Sequence, residues 1–150
     1  MDLNELYSEV ILEHSQDKSN KRELDPYTLE ERGHNPSCGD DITLRLDIED
    51  GIIKDAAYTG IGCAISQAST SIMCDQIRGL TVEEAYKKLD LFINMIRGEE
   101  KDDEKLEEEL EEGYVFKNIS TMPARVKCAV LAWHTLKNAI DEGKSLKENE

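Results

Sequence analysis

The stretch Ile42 to Tyr58, Ile-Thr-Leu-Arg-Leu-Asp-Ile-Glu-Asp-Gly-Ile-Ile-Lys-Asp-Ala-Ala-Tyr, decides the fold class. Ile42, Leu44, Leu46 and Ile48 alternate with Thr43, Arg45 and Asp47, and a period of two places the apolar set on one face of a half-buried strand. Glu49-Asp50-Gly51 is a turn, and Ile52 to Tyr58 returns as the second strand of an antiparallel hairpin. A sheet with one apolar face must be covered, and the flanking sequence supplies the cover in helical periods. Upstream, Leu3, Leu6, Tyr7, Val10, Ile11 and His14 recur at helical spacing, with Asp2 and Glu5 placed as a capping box. Downstream, a small-residue helix runs from Ala64 to Arg78. Thr81 and Glu84 then form a second capping box ahead of Val82, Ala85, Leu89, Phe92, Ile93 and Ile96. A last helix runs from about Pro123, a residue suited to the first turn, to about Asp141. Ser15 to Gly33 is polar, contains Pro26 and reads as loop. The pattern predicts one α+β domain over residues 1–150: a small antiparallel β-sheet with helices packed on one face.

A chain of 150 residues buries roughly 70% of its unfolded surface, enough for a core without disulfides. Aromatic residues are only 5%, so that core is aliphatic and alanine-rich. Eighteen Lys and Arg against 33 Asp and Glu leave a net charge of −15, a field that repels phosphate backbones and anionic lipid. Nucleic acid and membrane surfaces are therefore excluded as partners. No apolar run is long enough to span a bilayer, and Met1-Asp2-Leu3-Asn4-Glu5 is acidic where a secretory leader is basic. These features predict a cytoplasmic protein. The charge is concentrated in an insert, Glu99 to Glu112, with ten acids and two lysines. It reads as a solvated helix or a disordered segment, with a docking surface for a basic partner as the functional alternative.

Cys38, Cys63, Cys74 and Cys128 have no oxidising context, so reduced thiols that bind metal or react are the default. Cys38 stands in Asn35-Pro36-Ser37-Cys38-Gly39-Asp40-Asp41, just ahead of the first strand. Residues two apart share a face of an extended segment, so Asp40 points with Cys38 and Asp41 points away. Cys63 lies between Gly62 and a helix start, where free amides and the helix dipole favour a thiolate. Cys128 falls in the first turns of the last helix, with Arg125 three residues earlier on the same face. Three thiolates and one carboxylate at element ends make a reasonable four-coordinate zinc shell. No CxxC pair reinforces that reading, and buried structural cysteine is the alternative. Cys74, eleven residues after Cys63, sits roughly 16 Å further along the helix, too far to share an ion, and reads as a packing residue. His14 reads as a packed or capping side chain, His34 as a solvated loop residue, His134 as surface and Trp133 as core.

Three segments together resemble a known family. Cys38-Gly39-Asp40 before a strand, Gly60-Ile61-Gly62-Cys63-Ala64-Ile65-Ser66 before a helix, and Pro123-Ala124-Arg125-Val126-Lys127-Cys128-Ala129-Val130-Leu131-Ala132-Trp133 opening the last helix look like the iron–sulfur assembly proteins of the IscU/NifU-N type. The likeness runs from about Leu3 to Ile140. IscU scaffolds carry a histidine immediately before the third cysteine, where this chain has Lys127, and a shorter stretch between the second and third cysteines. Both departures resemble the SufU branch, with Arg125 as that branch's arginine. The resemblance implies Zn2+ on Cys38, Asp40, Cys63 and Cys128. It also implies persulfide transfer from a SufS-type cysteine desulfurase, a pyridoxal-phosphate enzyme, onto Cys38, and hand-on to downstream iron–sulfur scaffold proteins. A scaffold building a 2Fe–2S cluster on the same ligands, and a non-catalytic zinc-stabilised desulfurase activator, are the competing readings.

Overall fold

A computed structural model describes residues 3–37 and 39–148. Helix α1 (Leu3–Gln16) leads into strands β1 (Leu29–Asn35), β2 (Asp40–Glu49) and β3 (Ile52–Ile61). Helices α2 (Ala64–Ile77), α3 (Val82–Ile96) and α4 (Asp103–Leu110) follow, then a 3-10 helix (Glu111–Thr121) and α5 (Pro123–Glu148). The strands form one antiparallel sheet in the order β1-β2-β3, so the anticipated hairpin is the β2–β3 half of a meander. Asp2, one half of the anticipated first capping box, lies outside the described residues; the Thr81–Glu84 box is formed reciprocally. Among the described residues no helix is long and apolar enough to cross a membrane.

The period of two in β2 becomes the inner face of the sheet: Ile42, Leu44 and Leu46 are fully buried, and Thr43, Arg45 and Asp47 are half-buried. A register shift between Asp47 and Ile48 breaks the alternation there, and Ile48 ends only half-buried. Helix α5 packs across β1 and β2, and α2 packs on β3. Close approach at the β1 crossing depends on Gly33, because a Cβ there would lie 2.1 Å from Thr135 Oγ1 of α5. Trp133 of α5 is in the core as expected, stacked on Phe92 of α3 with ring centroids 4.4 Å apart. Its indole N–H donates to Ser69 Oγ, and Ser69 donates in turn to the Ala129 carbonyl at 2.6 Å. That relay fixes α2 against α5 one residue past Cys128.

Two readings are corrected. Part of the stretch taken as loop, Ser15 to Gly33, forms the start of β1. Its sequence, Leu-Glu-Glu-Arg-Gly-His-Asn, has no apolar alternation, and among the described residues this edge strand pairs with β2 alone. Cross-strand charge pairs replace that alternation, with Arg45 Nε donating to Glu30 at 2.7 Å and Arg32 Nη2 donating to Asp41 at 2.6 Å. The acidic stretch Glu99 to Glu112 is helical over α4, but it is not simply solvated. Leu106 and Leu110, one turn apart, are both fully buried in the core. The 3-10 helix beyond it buries Val115, Phe116 and Ile119. The end of the acidic stretch is also tied to α1: His14 Nε2 lies 2.8 Å from Glu112 Oε2, and its Nδ1 lies 3.2 Å from Ser71 Oγ. His14 is thus packed, as its place on the apolar stripe of α1 suggests.

Candidate metal centre

The inner end of the sheet and the N-terminal ends of α2 and α5 meet at one point. Asp40 opens β2 and is fully buried, whereas Asp41, next along the strand, turns outward. Arg32 donates two hydrogen bonds to the Asp41 carboxylate and holds that carboxyl below its ordinary value. The alternation of an extended chain thus separates the two acids as the sequence predicts. Cys63 is the N-cap of α2: its Sγ accepts the Ser66 N–H at 3.4 Å, and its own backbone N–H donates to Asp40 Oδ1 at 2.9 Å. Cysteine is an unusual cap, and using its sulfur in that role aims the thiol along the helix start. Cys128 lies in the second turn of α5 and is 6% exposed.

The ligand atoms of Asp40, Cys63 and Cys128 all lie within 4.8 Å of one another. Donors around a tetrahedral zinc stand about 3.3–3.8 Å apart, so this set needs only a small contraction to surround an ion. Two sulfurs with one oxygen is also donor chemistry that zinc accepts and magnesium or calcium does not. Gly62 keeps the approach open, since a Cβ there would lie 3.0 Å from Asp40 Oδ1 and 3.1 Å from Ser66 Oγ.

Cys38 lies outside the described residues; its neighbours Ser37 and Gly39 belong to the turn joining β1 to β2, which leads directly into Asp40. Arg125 is exposed in the first turn of α5, three residues before Cys128, and Lys127 is exposed as well. Cys74 is fully buried, and burial pushes its thiol up to about 12, the state of an inert packing residue. His34 is exposed on β1 and His134 exposed on α5, and neither belongs to the cluster.

Comparison with known proteins defines the class. The family model for NifU-like N-terminal domains matches residues 6–110. The iron–sulfur cluster assembly scaffold protein IscU of Thermotoga maritima is 46% identical over 90% of this chain and 92% of its own length. The zinc-dependent sulfurtransferase SufU of Bacillus subtilis is 36% identical over 92% of this chain and 91% of its own. A solved SUF-system iron–sulfur cluster assembly scaffold protein from Fervidobacterium islandicum superposes with a TM-score of 0.83 at 38% identity, covering 91% of this chain and 98% of that one. A NifU-like N-terminal domain from Brucella abortus shares the fold, with a TM-score of 0.80 at 21% identity. The chain belongs to the NifU-N/IscU family of iron–sulfur cluster assembly proteins.

Proposed function

We propose that this chain is a zinc-dependent sulfurtransferase of the SufU branch, working in the cytoplasm. It would accept persulfide sulfur from a SufS-type cysteine desulfurase for delivery to downstream iron–sulfur scaffold proteins. The observation that carries this reading is the convergence of Asp40, Cys63 and Cys128 to within 4.8 Å. Cys38, two residues before Asp40 in the sequence, would be the fourth ligand. Zinc on these residues would keep the sulfurs as thiolates at neutral pH.

In the transfer, the Cys38 thiolate attacks the outer sulfur of the desulfurase persulfide. The donor S–S bond breaks as the new one forms, and the donor cysteine leaves as a thiolate, so no external oxidant or reductant is needed. Cys38 adjoins Gly39 in sequence, and glycine lets the backbone there adjust at lower cost than around Cys128 on a helix. Arg125, one helical turn before Cys128, would hold a departing ligand thiolate or the Asp40 carboxylate by charge-assisted hydrogen bonds. Cys38 and Arg125 are thus the proposed catalytic residues, and Cys38, Asp40, Cys63 and Cys128 the proposed ligands.

Assembly of a 2Fe–2S cluster on the same residues is the second reading, supported by relatives from Thermotoga maritima and Streptococcus pyogenes that carry the scaffold name. Lys127, in place of a histidine before the third cysteine, favours the sulfurtransferase. Native mass spectrometry after anaerobic incubation with a cysteine desulfurase and cysteine separates these readings. The expected result is one zinc with a sulfur adduct on Cys38. Zinc without an adduct would make the chain a non-catalytic activator, and an iron–sulfur mass would make it a scaffold.

A further inference from the structure

Two of the three donors gathered at the candidate metal centre are sulfurs within reach of each other. The Sγ atoms of Cys63 and Cys128 lie within 4.8 Å, and both cysteines are reduced. A disulfide brings its sulfurs to about 2.05 Å, so the pair has less than about 3 Å to close. The Cys63 side can give: its backbone is extended, with φ −70° and ψ 168°, and it follows Gly62. Cys128 is held in the second turn of α5, and the Ser69–Ala129 bond next to it keeps α5 against α2. The two sulfurs also differ in access, Cys63 being exposed and Cys128 only 6% exposed. Cys74 offers no rival partner, because it is fully buried further along α2 and burial pushes its thiol up to about 12.

We propose that Cys63 and Cys128 form a peroxide-reactive pair, which closes to an intramolecular disulfide in the metal-free protein. Cys63, the exposed member, reacts first. Its sulfur bonds to one oxygen of hydrogen peroxide, the O–O bond breaks, and the departing hydroxide takes the thiol proton and leaves as water. Cys63 is then a sulfenic acid. The Cys128 sulfur attacks the Cys63 sulfur, the S–O bond breaks, and a second hydroxide leaves as water with the second thiol proton. Two thiols thus lose two electrons while one peroxide is reduced to two waters. An added thiol reductant reverses the step by exchange. The disulfide takes both sulfurs out of the donor set, so peroxide closes the site to an incoming ion. The pair needs neither Cys38 nor a desulfurase, and the inference goes beyond sulfur transfer.

The test treats metal-free wild-type protein with an equimolar amount of hydrogen peroxide, then alkylates it under denaturing conditions and reads the mass. The expected product is a monomer lighter by two hydrogens. Its non-reduced digest should join the peptides of Cys63 and Cys128, with Cys38 and Cys74 alkylated. Dithiothreitol before alkylation should return all four cysteines to the alkylated form. The same treatment in urea should give mixed pairings, because the packing of α2 on α5 selects the partner. Cys38→Ser should cross-link as the wild type does. Cys128→Ser should stop at the sulfenic acid, raising capture of Cys63 by dimedone about tenfold over wild type. A disulfide that maps to Cys38 or Cys74, a monomer with no cross-link, or a disulfide-linked dimer overturns the pair. Dimedone capture at Cys128 in Cys63→Ser, with none at Cys63 in Cys128→Ser, overturns Cys63 as the first to react.

Discussion

The backbone N–H of Cys63 donates to Asp40 Oδ1 at 2.9 Å, joining the first residue of β2 to the cap of α2 across 23 positions of sequence. The carboxylate is buried, and that N–H supplies part of the hydrogen bonding a buried charge demands. One bond thus places two proposed ligands side by side while anchoring the start of a helix.

That bond separates two substitutions. Asp40→Asn keeps an acceptor for Cys63 N–H and should leave the metal-free melting temperature near wild type while lowering zinc content. Asp40→Ala should lower zinc content and also cost about 1–3 kcal/mol of stability, because the Cys63 N–H loses its partner. Zinc analysis and thermal melts check both, and wild-type zinc content in Asp40→Ala would remove Asp40 from the ligand set.

Arg125 is exposed, so Arg125→Ala should change stability by no more than about 0.5 kcal/mol. If it holds the thiolate or the Asp40 carboxylate, sulfur acceptance from a desulfurase should nonetheless fall at least tenfold, with zinc content nearly unchanged. Wild-type transfer rates in single-turnover assays with radiolabelled sulfur would end that assignment.

Alkaline pH should destabilise the fold through two groups. Burial holds the Cys74 thiol at about 12 against an ordinary 9.0, and burial with the nearby charges of Cys74 and Asp17 holds the Tyr58 hydroxyl at about 12 against 10.0. Both keep their protons in the folded protein at pH values where the unfolded chain releases them. Stability is therefore intact below pH 9 and falls as pH rises from 9 towards 12. Urea midpoints across that range should fall less steeply in Cys74→Ala from about pH 9, and in Tyr58→Phe from about pH 10. Cys74→Ala should also leave sulfur transfer intact. Loss of transfer would place Cys74 in the relay.

The acidic stretch should behave as part of the fold. Leu106→Ala is expected to cost about 2–5 kcal/mol, the range for emptying a buried leucine site. Glu107→Gln on the exposed side of the same helix should stay within about 0.5 kcal/mol. Removing residues 99–112 takes Leu106, Leu110 and the Glu112 contact of His14 away together, so the deletion should lower the melting temperature. A deletion variant with wild-type stability would return the segment to the status of a solvated insert.

Legibility followed the kind of information each element carries. Strands β2 and β3, the Thr81 cap, the proline start of α5 and the inward turn of Asp40 are set by local periodicity and local hydrogen bonding, and the sequence alone determined them. Helical rise likewise separates Cys74 from Cys63 too far to share an ion, and Cys74 is buried as a packing residue. Edge strand β1 was not legible: it exchanges apolar alternation for ion pairs with β2, and charged residues also read as loop. Leu106 and Leu110 were hidden in the same way among acids whose charge speaks of solvent. The meeting of Asp40, Cys63 and Cys128 and the Glu112 contact of His14 were decided only by tertiary structure. Each depends on how far apart packed elements come to rest. That distance is set by close approaches such as Gly33 against Thr135 and by the Ser69–Ala129 bond between α2 and α5, and no local pattern encodes it.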